Sequence, residues 1–194
     1  MTGLSQSERA TLLELARAAI EDRVREPGRL ARTQAAARIS PALRALRGAF
    51  VSLHEPSRLR SAAPAKLRGC IGTVEPHEPL FQCVIHNAAD AAFQDPRFPA
   101  VTSQELADLR IEISALHPLR NVAGPEEILV GRDGVELRNG SFHSVFLPQV
   151  AVEQGWDVAR LLEQLARKAG LRADGWRAAN LRIFQAEVFG EVSD

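Results

Sequence analysis

Apolar residues Leu12, Leu13, Ala16, Ala19 and Ile20 recur at three- and four-residue spacing, the period of one helical face. Ser5-Gln-Ser-Glu8 precedes them as a capping box, in which serine and glutamate each answer the other's backbone N–H. A first helix is therefore predicted from there to the charged stretch Glu21–Glu26, ahead of Pro27-Gly28. Residues 29–47 mix Ala, Arg and Pro without a clear period and read as an ordered connector with room for a short helix. The period then drops to two. In Gly48-Ala-Phe-Val-Ser-Leu-His54, residues Phe50, Ser52 and His54 alternate with Ala49, Val51 and Leu53, as a strand requires. A polar loop leads to a second strand, Lys66-Leu-Arg-Gly-Cys-Ile-Gly-Thr73. So short a connection leaves no crossover helix, and the two strands should pair antiparallel.

A second helix is predicted from Pro79 to Phe93, with Phe81, Val84, Ile85, Ala88 and Ala92 as its apolar stripe. Pro96 and Pro99 stop it and impose an extended segment, Gln94-Asp-Pro-Arg-Phe-Pro99. Thr102-Ser-Gln-Glu105 reads as the cap of another short helix, and Leu109–Ala115 as a half-buried strand. Ile128–Val130, Val135–Arg138 and Ser141–Leu147 form a predicted meander turned at Arg132-Asp-Gly134 and Asn139-Gly140, the second a strong hairpin signal. Asp157 caps a helix through Leu161, Leu162, Leu165 and Ala166, with Gly170 placed as its C′ residue. Leu181–Phe189 is a final strand. Helices and strands mix without a repeating βαβ unit, which predicts an α+β fold with a mainly antiparallel sheet flanked by helices.

Composition adds boundaries rather than detail. A chain of 194 residues, 45% hydrophobic and 25% charged, fits a single domain spanning 1–194 that holds its core without staples. Two cysteines are too few for a disulfide framework and point to a reducing compartment. Ser5–Arg23 is amphipathic, unlike a secretion signal, and no run approaches the roughly 20 apolar residues that span a bilayer. A cytoplasmic protein with no membrane role is expected. Net charge is zero, yet residues 1–68 carry 13 basic against 6 acidic side chains and the remainder reverses the balance. Only Phe50 lies among those arginines, so the aromatic platforms of single-strand nucleic-acid binding are missing and nucleic acid is not the expected partner.

Chemistry concentrates in the second strand. Plain alternation puts Arg68, Cys70 and Gly72 on one face and Leu67, Ile71 and Thr73 on the core face. A guanidinium beside a thiol favours the reactive thiolate, and flanking glycines let a ligand or a second backbone approach. Cys70 could equally be a small buried hydrophobe. On the second helix Cys83, His86 and Asp90 share the face opposite the stripe. A Cys-x-x-His pair there has metal-ligand chemistry, and a Cys70–His86 dyad oriented by Asn87 or Asp95 has nucleophile chemistry. The other histidines carry no ligand spacing, and phosphate-binding glycine motifs are absent, so no metal or cofactor is assigned.

Taken together, LRGCIGT at 67–73, the helix ending Asn87-Ala-Ala-Asp-Ala-Ala-Phe93, DPRFP at 95–99, FLPQVAVEQGWD at 146–157 and FQAEVF at 184–189 resemble the AMMECR domain family. Its bacterial and archaeal members are designated AmmeMemoRadiSam system protein A. The resemblance implies an α+β fold with a larger and a smaller lobe and a cleft lined by the LRGCIG segment. By the system's name it also implies a Memo-like protein and a radical-SAM protein as partners. Motif positions matched here are Arg68, Gly69, Cys70, Gly72, Asn87, Asp95, Arg97, Phe98, Gln149 and Trp156. Cys83 and His86 are not among them. The leading expectation is small-molecule or residue-modification chemistry, with Cys70 as nucleophile or redox thiol and Arg68 holding an anionic group. Gly69, Gly72, Asn87, Asp95, Arg97, Phe98, Gln149 and Trp156 would orient or bind the ligand or partner. The alternative is a non-catalytic protein- or RNA-binding module.

Overall fold

The computed structural model describes residues 3–55 and 66–191. The polar loop expected before the second strand lies outside them. The chain divides into two compact units, one running to Leu116 and resuming at Glu187, the other comprising His117–Ala186.

In the first unit the order is α1 (Gln6–Val24), α2 (Arg29–Ala36), α3 (Pro41–Arg44), β1 (Ala49–Glu55), β2 (Lys66–Thr73), α4 (Leu80–Phe93) and β3 (Arg110–Leu116). The capping box forms as expected: Glu8 N–H donates to Ser5 Oγ and Ser5 N–H to the Glu8 carboxylate. β1 sits between β2 and β3, antiparallel to both. The hydrophobic alternation of β1 turns Ala49, Val51 and Leu53 inward, where they pack with Ile111 and Ile113 under α1 and α4. The whole α4 stripe named above is buried, along with Leu80, Cys83, Asn87, Ala89 and Ala91. Gln82, His86, Asp90 and the terminal Phe93 escape full burial, and of these His86 alone is exposed.

The second unit contains β4 (Arg120–Asn121), β5 (Gly134–Asn139), β6 (Phe142–Phe146), α5 (Pro148–Glu153), α6 (Val158–Lys168) and β7 (Asn180–Phe184). The Asn139-Gly140 hairpin is present: Asn139 pairs with Phe142, and Gly140 takes the positive φ of 60° that the tight turn needs. Asp157 caps α6 by accepting from Arg160 N–H. At the other end Leu171 N–H reaches Ala166 O and Gly170 N–H reaches Arg167 O, a Schellman ending with glycine at φ 85°. Leu161, Leu162, Leu165 and Ala166 then cover Val135, Leu137, Leu181 and Ile183.

The fold is α+β as expected, with two four-stranded sheets in place of one: β2-β1-β3-β8 and β4-β7-β5-β6. The last strand accounts for the difference. What reads as one strand is two, broken at Gln185: β7 lies in the second sheet between β4 and β5, and β8 (Ala186–Gly190) joins the first beside β3. The second unit is thus inserted between two neighbouring strands of the first sheet. Ile128–Val130 is not a strand, since Pro125–Glu127 forms a 3₁₀ turn and Ile128 drops into the core as loop. Thr102–Glu105 is a run of turns, not a helix; Glu105 closes it by accepting from both Thr102 N–H and Oγ1. Residues 94–99 also turn rather than extend, with Phe98 N–H bonded to Asp95 O.

Candidate functional site

β2 is an edge strand, and its register with β1 slips once. Leu53 faces Gly69 and His54 faces Leu67, leaving Arg68 as an extra residue. A bulge of this kind reverses the alternation of side chains on either side of it. Cys70 and Gly72 keep to the face of Ser52 and Phe50, while Gly69, Ile71 and Thr73 face α4. Arg68 leaves the Cys70 face altogether. It is 5% exposed, its Nε lies 2.8 Å from Glu105 Oε1, and its Nη2 reaches Glu105 Oε2 and Ala100 O at 3.4 Å. Those hydrogen bonds from Arg68, more than the opposing burial, hold the Glu105 carboxyl below its usual range. The structure therefore separates the guanidinium from the thiol that plain alternation placed beside it.

A different arginine serves Cys70. Its backbone N–H donates to Asp95 Oδ2 at 2.9 Å, and its carbonyl accepts from Arg97 Nη2 at 3.2 Å. Arg97 in turn grips Asp95 through Nη2 at 2.6 Å and Nε at 2.9 Å. An edge strand normally leaves such groups open to a further strand. Here the DPR turn supplies an acceptor and a donor at the spacing a neighbouring strand would offer. Asp95, with its side chain 2% exposed, is held well below the ordinary carboxylate range by Arg97 first and by the Cys70 N–H as well, against the effect of burial. Arg97 also lies over the Phe98 ring, 5.4 Å from its centroid.

The Cys70 side chain is half-buried and accepts from Ser52 Oγ at 3.3 Å. Ser52 stands opposite Cys70 on one side and Glu112 of β3 on the other, so thiol, hydroxyl and carboxylate form one row across three strands. Both glycines are required by contact. A Cβ on Gly69 would sit 2.2 Å from Ala91 O, and one on Gly72 would sit 2.0 Å from the Phe50 ring. Gly69 thus lets α4 lie against the strand, and Gly72 makes room for Phe50 on the Cys70 face.

Asn87 binds helix to sheet. Its Nδ2 donates to Ala49 O at 3.0 Å and to Cys83 Sγ at 3.2 Å, and its Oδ1 accepts from Thr73 Oγ1 at 3.2 Å. Cys83 is 1% exposed, and burial raises its pKa. It does not share a solvent face with His86, as the helical spacing suggested, because α4 is covered almost all round. His86 is exposed and its Nδ1 pairs with Glu78 at 3.0 Å. It lies on the α4 side of the sheet while Cys70 points to the other, so the two form no dyad. No group of three or more metal-ligating side chains occurs among the described residues. Gln149 and Trp156 belong to the second unit, Gln149 in α5 and Trp156 edge-on to Phe146 with centroids 5.6 Å apart.

Two features had little signal in the sequence. Among the described residues a hollow of about 400 Å³ is lined by Glu55, Arg68, Thr102, Gln104, Glu105, Asp108 and Leu109. Arg68 Nη1 and both ring nitrogens of His54 are sealed from water with no hydrogen-bond partner among the described residues. Each such group costs about 1–3 kcal/mol in the folded state. In the second unit Glu136, fully buried, accepts from Arg182 Nε, from His143 Nε2 at 2.8 Å and from Arg138 Nε at 3.2 Å.

The family model described as AMMECR1 matches residues 13–189, from within α1 to within β8. This chain belongs to the AMMECR1 family. The AMMECR1 match takes in every residue nominated above, from Arg68 to Trp156, in both units. A protein of Thermofilum pendens is 41% identical over 208 residues, covering 100% of this chain and 94% of its own length. A protein of Methanocaldococcus jannaschii is 42% identical over 154 residues, 75% of this chain and 74% of its own. The AMMECR1 fold described here also resembles the crystal structure of an uncharacterized protein from Pyrococcus horikoshii. That likeness has a TM-score of 0.76 at 36% identity, covering 93% of this chain and 89% of the other. No helix among the described residues is long and apolar enough to cross a membrane.

Proposed function

We propose that this AMMECR1-family chain is a component of an AmmeMemoRadiSam-type system. In this reading it acts beside a Memo-like protein and a radical-SAM enzyme in small-molecule or residue-modification chemistry, with Cys70 as nucleophile or redox thiol. The observation that carries the chemical half is the fixed, half-buried Cys70. Asp95 and Arg97 hold both of its backbone polar groups, while its side chain faces away from the core beside Ser52. Arg97, bound to the Cys70 carbonyl, takes the place beside Cys70 that alternation had given to Arg68. Phe98 keeps Arg97 in place, Gly69 and Gly72 shape the strand, and Asn87 sets the helix behind it. Gln149 and Trp156 are assigned to partner contact from the second unit.

The test is co-expression with a Memo-like and a radical-SAM protein, followed by intact-mass analysis of this chain and by iodoacetamide labelling of the native protein. The proposal expects a retained partner, a mass change lost in Cys70→Ser, and one native carbamidomethyl adduct on Cys70 with none on Cys83. An unlabelled Cys70 overturns the thiol chemistry. Retention of the partner by both forms with no mass change leaves the chain as a partner-binding module.

A further inference from the structure

The outer strands of the two sheets are β2 and β8 in one, β4 and β6 in the other. An outer strand offers its unpaired backbone groups to any further strand unless charge, proline, shortness or a covering segment prevents it. Three of these edges are closed in that way. The DPR turn lies across β2 and fills both polar groups of Cys70. At the β6 edge Lys168 Nζ donates to Val145 O at 2.8 Å. β4 is only Arg120 and Asn121, an exposed pair that includes a charge. β8 carries none of these protections.

Glu191 N–H donates to Ile111 O at 3.0 Å, which sets the phase of the strand. Glu187 and Phe189 share that phase and turn their backbone groups to β3, so Ala186, Val188 and Gly190 turn theirs away from it. Among the described residues nothing bonds to those outward groups. Val188 is 46% exposed, and Gly190 is exposed as well. The one charge in the strand, Glu187, points inward, where Arg47 holds it at 3.0 Å and Arg9 at 3.3 Å. Its side chain is already 10% exposed, so an added strand buries no bare charge.

We propose that β8 is a self-association edge, pairing antiparallel with β8 of a second copy of this chain about a two-fold axis through Val188. In that register Val188 faces its own counterpart, Ala186 faces Gly190, and Glu187 faces Phe189. The three outward residues of each copy then exchange about six N–H···O bonds. The strand suits both sides of the axis: small residues meet at its two ends, and no like charges stand directly opposite. Arg9 lies over the Phe189 ring, 5.6 Å from its centroid, so each copy brings a guanidinium toward the other's Glu187. An interface built on one short strand is small, and association is accordingly weak, with a Kd of about 0.1 mM. The thiol of Cys70 plays no part in it.

Sedimentation velocity of the full chain from about 10 µM to about 1 mM, with hydrogen exchange at both concentrations, tests the pairing. A shift from monomer to dimer is expected, with added protection at the Val188 and Gly190 amides. The Phe189 amide should not change, because it already serves β3. Val188→Lys sets two ammonium groups face to face from an exposed position, and Val188→Pro removes an N–H that the β3 ladder does not use. Each should weaken association about tenfold or more, while the β-branched Val188→Thr keeps it. Cys70→Ser should associate as the unaltered chain does. A chain still monomeric at about 1 mM overturns the proposal, as does a dimer that survives both Val188→Lys and Val188→Pro. Edge amides protected only when a Memo-like protein is added give the strand to a foreign partner and overturn self-pairing too.

Discussion

Replacing Asp95 with alanine tests whether the DPR turn holds the edge of β2. The carboxylate accepts the Cys70 N–H at 2.9 Å from a side chain only 2% exposed. A hydrogen bond to a charged, buried acceptor is worth about 1.5–3 kcal/mol. The pair with Arg97 adds about 0.2–1 kcal/mol, because Arg97 is half exposed and solvent screens it. Asp95→Ala should therefore cost about 2–4 kcal/mol, and at this chain length each kcal/mol lowers Tm by about 2–4 °C. Asp95→Asn keeps an oxygen for the Cys70 N–H and should cost less. Urea unfolding followed by far-ultraviolet circular dichroism measures both, and hydrogen exchange at the Cys70 amide gives a local reading. Protonation supplies an independent check. The folded-state pKa of Asp95 is depressed, so its contribution is fully present above the unfolded value near about 4 and disappears as pH falls through the folded value. The stability gap between the unaltered chain and Asp95→Asn should thus be constant near neutrality and narrow as pH drops below about 4. An Asp95→Ala cost under about 0.5 kcal/mol, with unchanged exchange at Cys70, would refute the clamp.

Three further outcomes follow from the same geometry. Gly69→Ala sets a methyl 2.2 Å from the Ala91 carbonyl, backbone against backbone, and should destabilise by about 3 kcal/mol or abolish folding, read by chemical denaturation. Asn87→Ala removes the partner of the buried Ala49 carbonyl and should cost about 1–3 kcal/mol. It should also make Cys83 alkylate in the native state, which native-state mass spectrometry detects. Glu136 is fully buried, yet its hydrogen bonds to Arg182, His143 and Arg138 outweigh burial and lower its pKa. Glu136→Gln should then cost about 3 kcal/mol at neutral pH, with the difference fading below about pH 4 in a urea titration series.

Local elements were legible where the chain's own neighbours decide them. Ser5 and Glu8 cap α1 within four residues, Asn139-Gly140 turns its hairpin, and Gly170 ends α6, because each signal acts on backbone groups close by in sequence. The alternation of β1 likewise predicted its inward face. Nothing local could reveal that Leu181–Phe189 splits at Gln185 between two sheets, because both halves are apolar and extended. Their partners, Gly134–Arg138 for β7 and the β3 edge for β8, lie far away in sequence.

The site failed in sequence for the same reason, and its failure says what kind of site it is. Period-two counting put Arg68 beside Cys70, and one extra residue opposite the Leu53–His54 step was enough to undo that. The bulge exists because Arg68 has somewhere better to go: a carboxylate, Glu105, delivered by a turn 37 positions along the chain. The motif that looked like one chemical face is therefore two. On the outer face of the sheet a thiol is braced from behind by Asp95 and Arg97; on the other side an arginine braces a turn and keeps one nitrogen without an acceptor. A single ligand bridging both would have to pass through the strand between them. Coupling between the two halves runs through the β2 backbone, so Glu105→Gln, which loosens the grip on Arg68, should change hydrogen exchange at the Cys70 amide two residues away without touching the sulfur.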